Sequence, residues 1–549
     1  MRRLTTAASL VSLALLSSCG EVTVRTDIPS AYDAPAPGTS PLAPGEVKLD
    51  PAISTTLVKL AEDRRSLKRD LTKIEGTPIA DILTVGSPIG YALRNRFLNV
   101  GIPLGEAFSK STDPAFRAQL LELSRWDRDG ESRAAALIAL ARTHDSKYLQ
   151  VFNEALIHLD PAVRFGALEA LVVFEHPREA MPLLAAASER DSEPLLRVYA
   201  AAGLARMGDV AGLHRVRAFL DNPSWVVKSL AAKYLGELGS SEDYDTLLNR
   251  VDREVGNDFV VAEYCVSALK LWPQKKAAQA FVPTGPAPAP APAPAAPSTD
   301  LSSFSLEPLT VTAPRVRQEE LINPRINSHL LRLLQQRMDA RPDTLAAGDA
   351  SLNNLSKLST LTGYSLKTRY TELGFLLTEG LAGTKDYQLQ RELVNAARLA
   401  KNVQTRAAAL VALAYSKDMQ YLTLFQASLN DPSVTVRFAA LESLLILGDN
   451  SVQLQLGGAA RNDQSVAVQI YAAAGMWRMG DSFGKEILLR FLDHTDWFAR
   501  AMASYYIGEM GGGYEYRRLI QYLTRESDPS TRAEMADALM KLHPKKDLP

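Results

Sequence analysis

Two cysteines in 549 residues leave this chain almost nothing to cross-link. One of them, Cys19, closes an N-terminal export signal, so Cys265 has no internal partner and no cysteine cluster exists to hold zinc or an iron–sulfur group. The seven histidines, at 144, 158, 176, 214, 329, 494 and 543, include no His-x-x-x-His pair, and the chain is read as holding neither metal nor cofactor. An excess of charge is missing too. The 61 basic and 62 acidic residues are spread without long runs of one sign, which excludes the basic footprint of a nucleic-acid binder. No Gly-rich phosphate loop follows a predicted strand, and few strands are predicted. Gly480-Asp-Ser-Phe-Gly484 fits the G-x-S-x-G pattern formally, but a helix precedes it where a nucleophile elbow needs a strand, and its first-copy partner Gly208-Asp-Val-Ala-Gly212 has no serine. Asp127-Arg-Asp-Gly130 lacks the later ligands of a calcium loop and reads as a turn. No catalytic constellation remains, so the chain is read as a non-enzyme.

What the chain has is a duplication. Arg197-Val-Tyr-Ala-Ala-Ala-Gly-Leu-Ala-Arg-Met-Gly-Asp209 lies over Gln469-Ile-Tyr-Ala-Ala-Ala-Gly-Met-Trp-Arg-Met-Gly-Asp481, nine of thirteen positions identical at an offset of 272. Pro51, Leu57 and Arg64 match Pro324, Leu330 and Arg337, and Leu271, Pro273 and Lys275 match Leu542, Pro544 and Lys546, so the repeated unit is a whole module. The expected organisation is a signal peptide over 1–18, a flexible tether over 19–50, a first module over 51–276, a Pro/Ala-rich linker over 277–323 and a second module over 324–549. Pro286-Ala-Pro-Ala-Pro-Ala-Pro-Ala-Pro294 favours polyproline II, at about 3.1 Å per residue, and is expected to hold the modules apart as well as join them. Leu306 to Pro314 faintly resembles a TonB box and is read as linker.

Within each module a shorter period runs. Arg133, Arg164, Arg197 and Lys228 are 31, 33 and 31 residues apart, and Arg406, Arg437, Gln469 and Arg500 are 31, 32 and 31 apart. A period of that length means an array of supersecondary units, and Leu195, Val198, Ala202 and Ala205 recur at the three- and four-residue steps of one buried helical face. Each unit is therefore a helix pair. Asp160-Pro161 and Asp431-Pro432 supply a capping carboxylate followed by proline in the first turn. Gly208, Gly239, Gly448, Gly480 and Gly511 stand where left-handed terminators are expected. The motif from Asp160 to Leu171, repeated from Asp431 to Leu444, is similar to the short HEAT repeats also found in phycobilisome lyases. The resemblance covers about 113–272 and 384–543. It implies an all-α fold of two tandem α-solenoid modules, right-handed α-α superhelices whose faces bind proteins or peptides, and it implies no reaction.

The N-terminus adds a location. Arg2 and Arg3, the 13-residue apolar stretch Leu4–Leu16 and the small residues before Cys19 read as an export signal too short to span a bilayer. Leu16-Ser17-Ser18-Cys19 resembles the bacterial lipobox, which implies acylation of Cys19, and Gly20 in place of aspartate resembles lipoproteins sent to the outer membrane. The expected protein is a lipid-anchored envelope scaffold facing the periplasm. An enzyme subunit of the lyase type and a two-site spacer bridging envelope layers are the alternatives. Candidate partner-binding residues are Arg164 and Arg437, which could instead pair with an aspartate of the neighbouring repeat, and Tyr199, Tyr471, Trp225 and Trp497, which could be interface anchors or core. Cys265, matched by Ala536, is expected to be an inert core position.

Overall fold

The computed structural model describes residues 50–63, 78–79, 81, 88–98, 101–110, 114–127, 130–174, 176–254, 256–280, 323–339, 366–367 and 369–545. Among them every regular element is a helix. The local causes are those written in the sequence. Asp160 accepts a hydrogen bond from the Ala162 amide at 2.9 Å while Pro161 occupies the first turn, and Asp209, Asp481, Asp496 and Asp528 cap their helices in the same way. Gly208, Gly448 and Gly480 end helices at φ +90°, +72° and +91°, as expected of left-handed terminators. Gly239 and Gly511 depart from that expectation, with φ −76° and −75°. There the requirement is space, because an added Cβ would lie 2.4 Å and 2.6 Å from the carbonyl oxygens of Leu235 and Ile507.

The helices form two layers. In the first copy the alanine-rich layer comprises Gly101–Ser109, Gly130–Ala141, Pro161–Val173, Pro194–Arg206, Trp225–Leu238 and Asp258–Ala280. In the second it comprises Leu373–Leu381, Val403–Ala414, Val434–Leu447, Val466–Arg478, Trp497–Met510 and Pro529–Leu542. These helices are buried on nearly all sides; Pro194–Arg206 buries Leu195, Leu196 and every residue from Val198 to Leu204. The other layer is amphipathic, as in Pro177–Arg190, where Ala180, Leu184 and Ser188 repeat one face at four-residue steps. The buried layer is the inner one.

Each inner helix packs on the next, and the last packs on the first. Asp258–Ala280 lies against Leu373–Leu381, and Pro529–Leu542 lies against Gly101–Ser109 and against the opening helix Pro51–Asp63. Twelve inner helices among the described residues therefore close a ring. Closure over twelve units needs an average turn of about 30° per repeat, the small per-repeat rotation that sets solenoid curvature. The expectation that the copies stand apart is overturned, because their ends meet at two seams. The first copy's last helix also runs to Ala280, beyond the expected boundary at 276. The proline-alanine tract and the Leu306–Pro314 segment lie outside the described residues.

Candidate functional site

At each seam, charged side chains of the inner helices meet an arginine from outside that layer, Arg96 on the helix Pro88–Leu98 and Arg369 just before Leu373–Leu381. At the seam joining the chain's two ends, Arg96 Nε donates to both Glu534 oxygens at 3.0 and 2.9 Å. Its terminal nitrogens reach Glu106 at 3.0 Å, Glu534 at 2.7 Å and Asp537 at 2.7 Å. Lys110 and Lys541 complete the group, pairing with Asp537 at 2.8 and 2.9 Å. At the other seam Arg369 donates to Glu263 at 2.5 and 2.7 Å and to Glu379, and Lys270 pairs with Glu379 at 2.7 Å. The two seams are the same constellation: Glu263, Lys270, Arg369 and Glu379 correspond in the duplication to Glu534, Lys541, Arg96 and Glu106. Only Lys110 and Asp537 have no charged counterpart, since Gly383 and Val266 stand at those places.

Burial alone would neutralise these groups, and their neighbours decide otherwise. Burial opposes ionisation of Glu379, but Arg369 and Lys270 outweigh it and hold its carboxyl down at about 2. Asp537 is held down likewise against burial by Lys110, Lys541 and Arg96. Glu534 goes the other way, pushed up because burial and the Asp537 charge outweigh Arg96. From the seams a polar belt continues along the inner helices. Arg206 pairs with Glu237 at 3.0 Å, Lys233 reaches the same carboxylate at 2.5 Å, and Tyr199, Tyr234, Tyr471 and Tyr506 lie buried among these charges. Glu237, Arg206, Tyr199 and Tyr234 recur as Glu509, Arg478, Tyr471 and Tyr506. Sequence reasoning missed the belt, and its signal was charge kept at matched positions on otherwise apolar helices.

The rim where outer helices turn into inner ones carries a ladder. Arg164 forks onto Asp191 at 2.9 and 3.0 Å and Arg437 onto Asp463 at 2.9 Å twice. Arg500 holds Glu526, Lys228 holds Glu254 and Arg406 holds Asp431. Arg164 and Arg437 thus engage the acid of the next repeat. The bidentate geometry uses the guanidinium edge that an anionic partner would need. Tyr199 and Tyr471 are 2% exposed and pack edge-on against Phe165 at 4.7 Å and face-on against Phe438 at 4.4 Å. Trp225, 6% exposed, lies against Phe259 and Tyr370, and Trp497 is partly buried beside Phe498. Arg164, Tyr199, Tyr471 and Trp225 are thus buried in the ring, and Arg437 and Trp497 partly so. Cys19 lies outside the described residues. Ser482 opens a helix behind the Asp481 cap, in an inter-repeat turn, and among the described residues no His/Cys/Asp/Glu group has the makings of a metal site.

Large apolar side chains are exposed on both rims. On the ladder rim Trp126, Ile157 and Leu159 are 70%, 85% and 95% exposed. Arg133 ties the two segments that carry them together, donating to the Ser124 carbonyl at 3.1 Å and meeting the His158 ring at 3.1 Å. On the opposite rim Tyr387, Met419, Leu454 and Tyr514 are exposed at the first turns of outer helices.

A profile of HEAT repeats matches residues 114–197, 180–270 and 454–540. No curated protein matches the sequence significantly. Among solved structures, the karyopherin Kap121p bound to the SUMO protease Ulp1p is 13% identical at TM-score 0.31, over 87% of this chain and 50% of that one. Kap121p bound to Pho4p is 13% identical at TM-score 0.31, over 94% of this chain and 50% of that one. An engineered protein is 15% identical at TM-score 0.22, over 77% and 98%. The chain spans about half the length of the karyopherin chains it matches.

Proposed function

We propose, from the premise that this chain is a HEAT-repeat protein, that it is a lipid-anchored envelope scaffold that binds a protein or peptide partner. The Leu16–Cys19 motif supports acylation of Cys19 and a site at a bacterial membrane, the outer one by the residue that follows. The observation that carries the binding role is the Trp126, Ile157 and Leu159 cluster on the ladder rim. Three large apolar side chains, each at least 70% exposed and held on neighbouring loop ends by Arg133, form the kind of compact anchor that protein interfaces desolvate. The second copy keeps an exposed apolar residue at the place of Trp126, Leu399 at 71%, but has Asn430 and Pro432 at the places of Ile157 and Leu159, so the scaffold does not require those two. The spacer alternative is less favoured because the copies pack together at both ends, and no observation favours an enzyme.

The binding role is tested by placing a photo-crosslinking residue at 157 and, separately, at the exposed outer-helix position 486. A defined adduct at 157 that is absent at 486 and lost on Trp126→Ser/Leu159→Ser is expected. No adduct at 157, or equal adducts at both positions, would count against it. Anchoring is tested separately: after an alkaline carbonate wash that strips peripheral protein, the Cys19→Ala protein should leave the membrane fraction while the unaltered chain stays, and equal retention of both would sink that half of the reading.

A further inference from the structure

The second copy carries an arc that the first lacks. Each of its five outer helices after the first opens with a large apolar residue just past the cap. These are Tyr387 after Asp386, Met419 after Asp418, Leu454, Phe483 after Asp481, and Tyr514. Tyr387 is 73% exposed, Leu454 78%, Tyr514 48% and Met419 44%, while Phe483 is partly covered by Arg461 and Arg490, which lie over its ring. At the matched places the first copy has Pro114, Ser146, Pro182, Ala211 and Glu242, and among its described residues a single Val210, 66% exposed after the Asp209 cap, stands in for the arc. The fold works without the arc in one copy, so packing does not explain it in the other.

Its position is informative. Each outer helix is followed by an antiparallel inner one, so the outer helices run in one direction and their first turns share a rim. The described chain enters at Asp50, at the start of Pro51–Asp63, which packs beside the Tyr514 helix. It re-enters at Asn323, at the start of Pro324–Arg337, which packs beside the Tyr387 helix. Both entry points flank the arc on its own rim. The segment before Asp50 carries the acylation motif.

We infer that this rim of the second copy rests on the lipid surface, with Tyr387, Met419, Leu454, Phe483 and Tyr514 dipping into the interface. The inference rests on the lipid-anchored reading above. Neighbouring helices lie about 8–10 Å apart, so the five side chains are spread singly over roughly 40 Å. That spacing forms no compact hot spot of the kind at Trp126, whereas a bilayer interface asks only that amphipathic side chains share a plane. Exposed Lys385 and Lys417, each two residues before an arc residue, supply cations for lipid phosphates, while Lys485 over the Tyr514 ring is already paired with Glu515 at 3.3 Å.

The experiment measures binding of the full chain carrying Cys19→Ala to phosphatidylethanolamine–phosphatidylglycerol vesicles. In that background Tyr387→Ser/Met419→Ser/Leu454→Ser/Tyr514→Ser should bind on the order of tenfold more weakly, with an unchanged urea midpoint, and Trp126→Ser/Leu159→Ser should bind as before. Equal affinity of the arc variant, or an equal loss in the ladder-rim variant, overturns the proposal. If the arc variant keeps its vesicle affinity but loses the adduct formed at position 157, the arc serves the protein partner and the proposal likewise falls. These outcomes separate from failure of the anchor, which reads only on fractionation of the Cys19→Ala protein.

Discussion

Replacing Arg96 with methionine tests whether the ring is closed by the chain-end seam. The side chain is 4% exposed and its guanidinium serves Glu106, Glu534 and Asp537 together. Methionine fills similar volume but leaves three buried carboxylates with only Lys110 and Lys541 to answer them. Breaking a buried ion cluster by removing one partner costs about 3–5 kcal/mol, because the orphaned charge stays desolvated. The seam opens before the rest unfolds, since the inner helices on either side keep their own neighbours. Urea titration should therefore show the loss of stability, and small-angle scattering a larger radius of gyration as the ring becomes an arc. Replacing Arg96, Glu106 and Glu534 together by apolar residues should recover most of that loss, as a well-packed apolar substitute for a buried cluster does. A loss below about 1 kcal/mol, the worth of a surface pair, with unchanged scattering would refute the closure argument.

Acid should weaken the other seam. Glu379 is held at about 2 against an ordinary 4.5, so its contribution is complete above 4.5 and is lost as pH falls from there toward 2. That is about 3 kcal/mol as an order of magnitude, and urea midpoints from neutral to acid pH should fall less steeply in Glu379→Gln. Glu534, whose carboxyl is raised, acts with the opposite sign and blunts the wild-type decline at the first seam. Gly508→Ala would set its Cβ 2.6 Å from Cα and Cβ of Ala538 on the next inner helix, and a loss of about 1–3 kcal/mol is expected in thermal melts. Gly458→Ala meets nothing within 4 Å in a helix and should gain about 0.5–1 kcal/mol. Cys265 is fully buried and burial pushes its thiol up to about 12, so maleimide should label it only after denaturant unfolds the chain.

The repeats were legible because local chemistry writes them. Asp-Pro starts, Ala-rich inner faces and cations 31 to 33 residues apart each have a cause within one helix pair, and the Arg164 and Arg437 forks follow from that spacing. Closure was not legible, since it depends on small rotations summed over twelve units and no single motif encodes the sum. Whether Tyr199 and Tyr471 are anchors or core stayed open in the sequence for a related reason. Helical periodicity identifies one covered face, and these residues sit on helices covered on every side.

Closure also changes what a difference between the copies means. In an open array the two copies would have different end repeats, and divergence could reflect capping. In a ring each repeat has two neighbours, so a structural demand met in one copy is repeated in the other, as Arg96 and Arg369 are. Divergence confined to exposed positions is then free of packing as a cause. Trp126 with Ile157 and Leu159 falls on one rim and the Tyr387-to-Tyr514 arc on the other, in opposite copies. A ring that sat on a membrane by one rim would present the other away from it, and the Trp126, Ile157 and Leu159 cluster proposed to bind the partner is on the rim that would face outward.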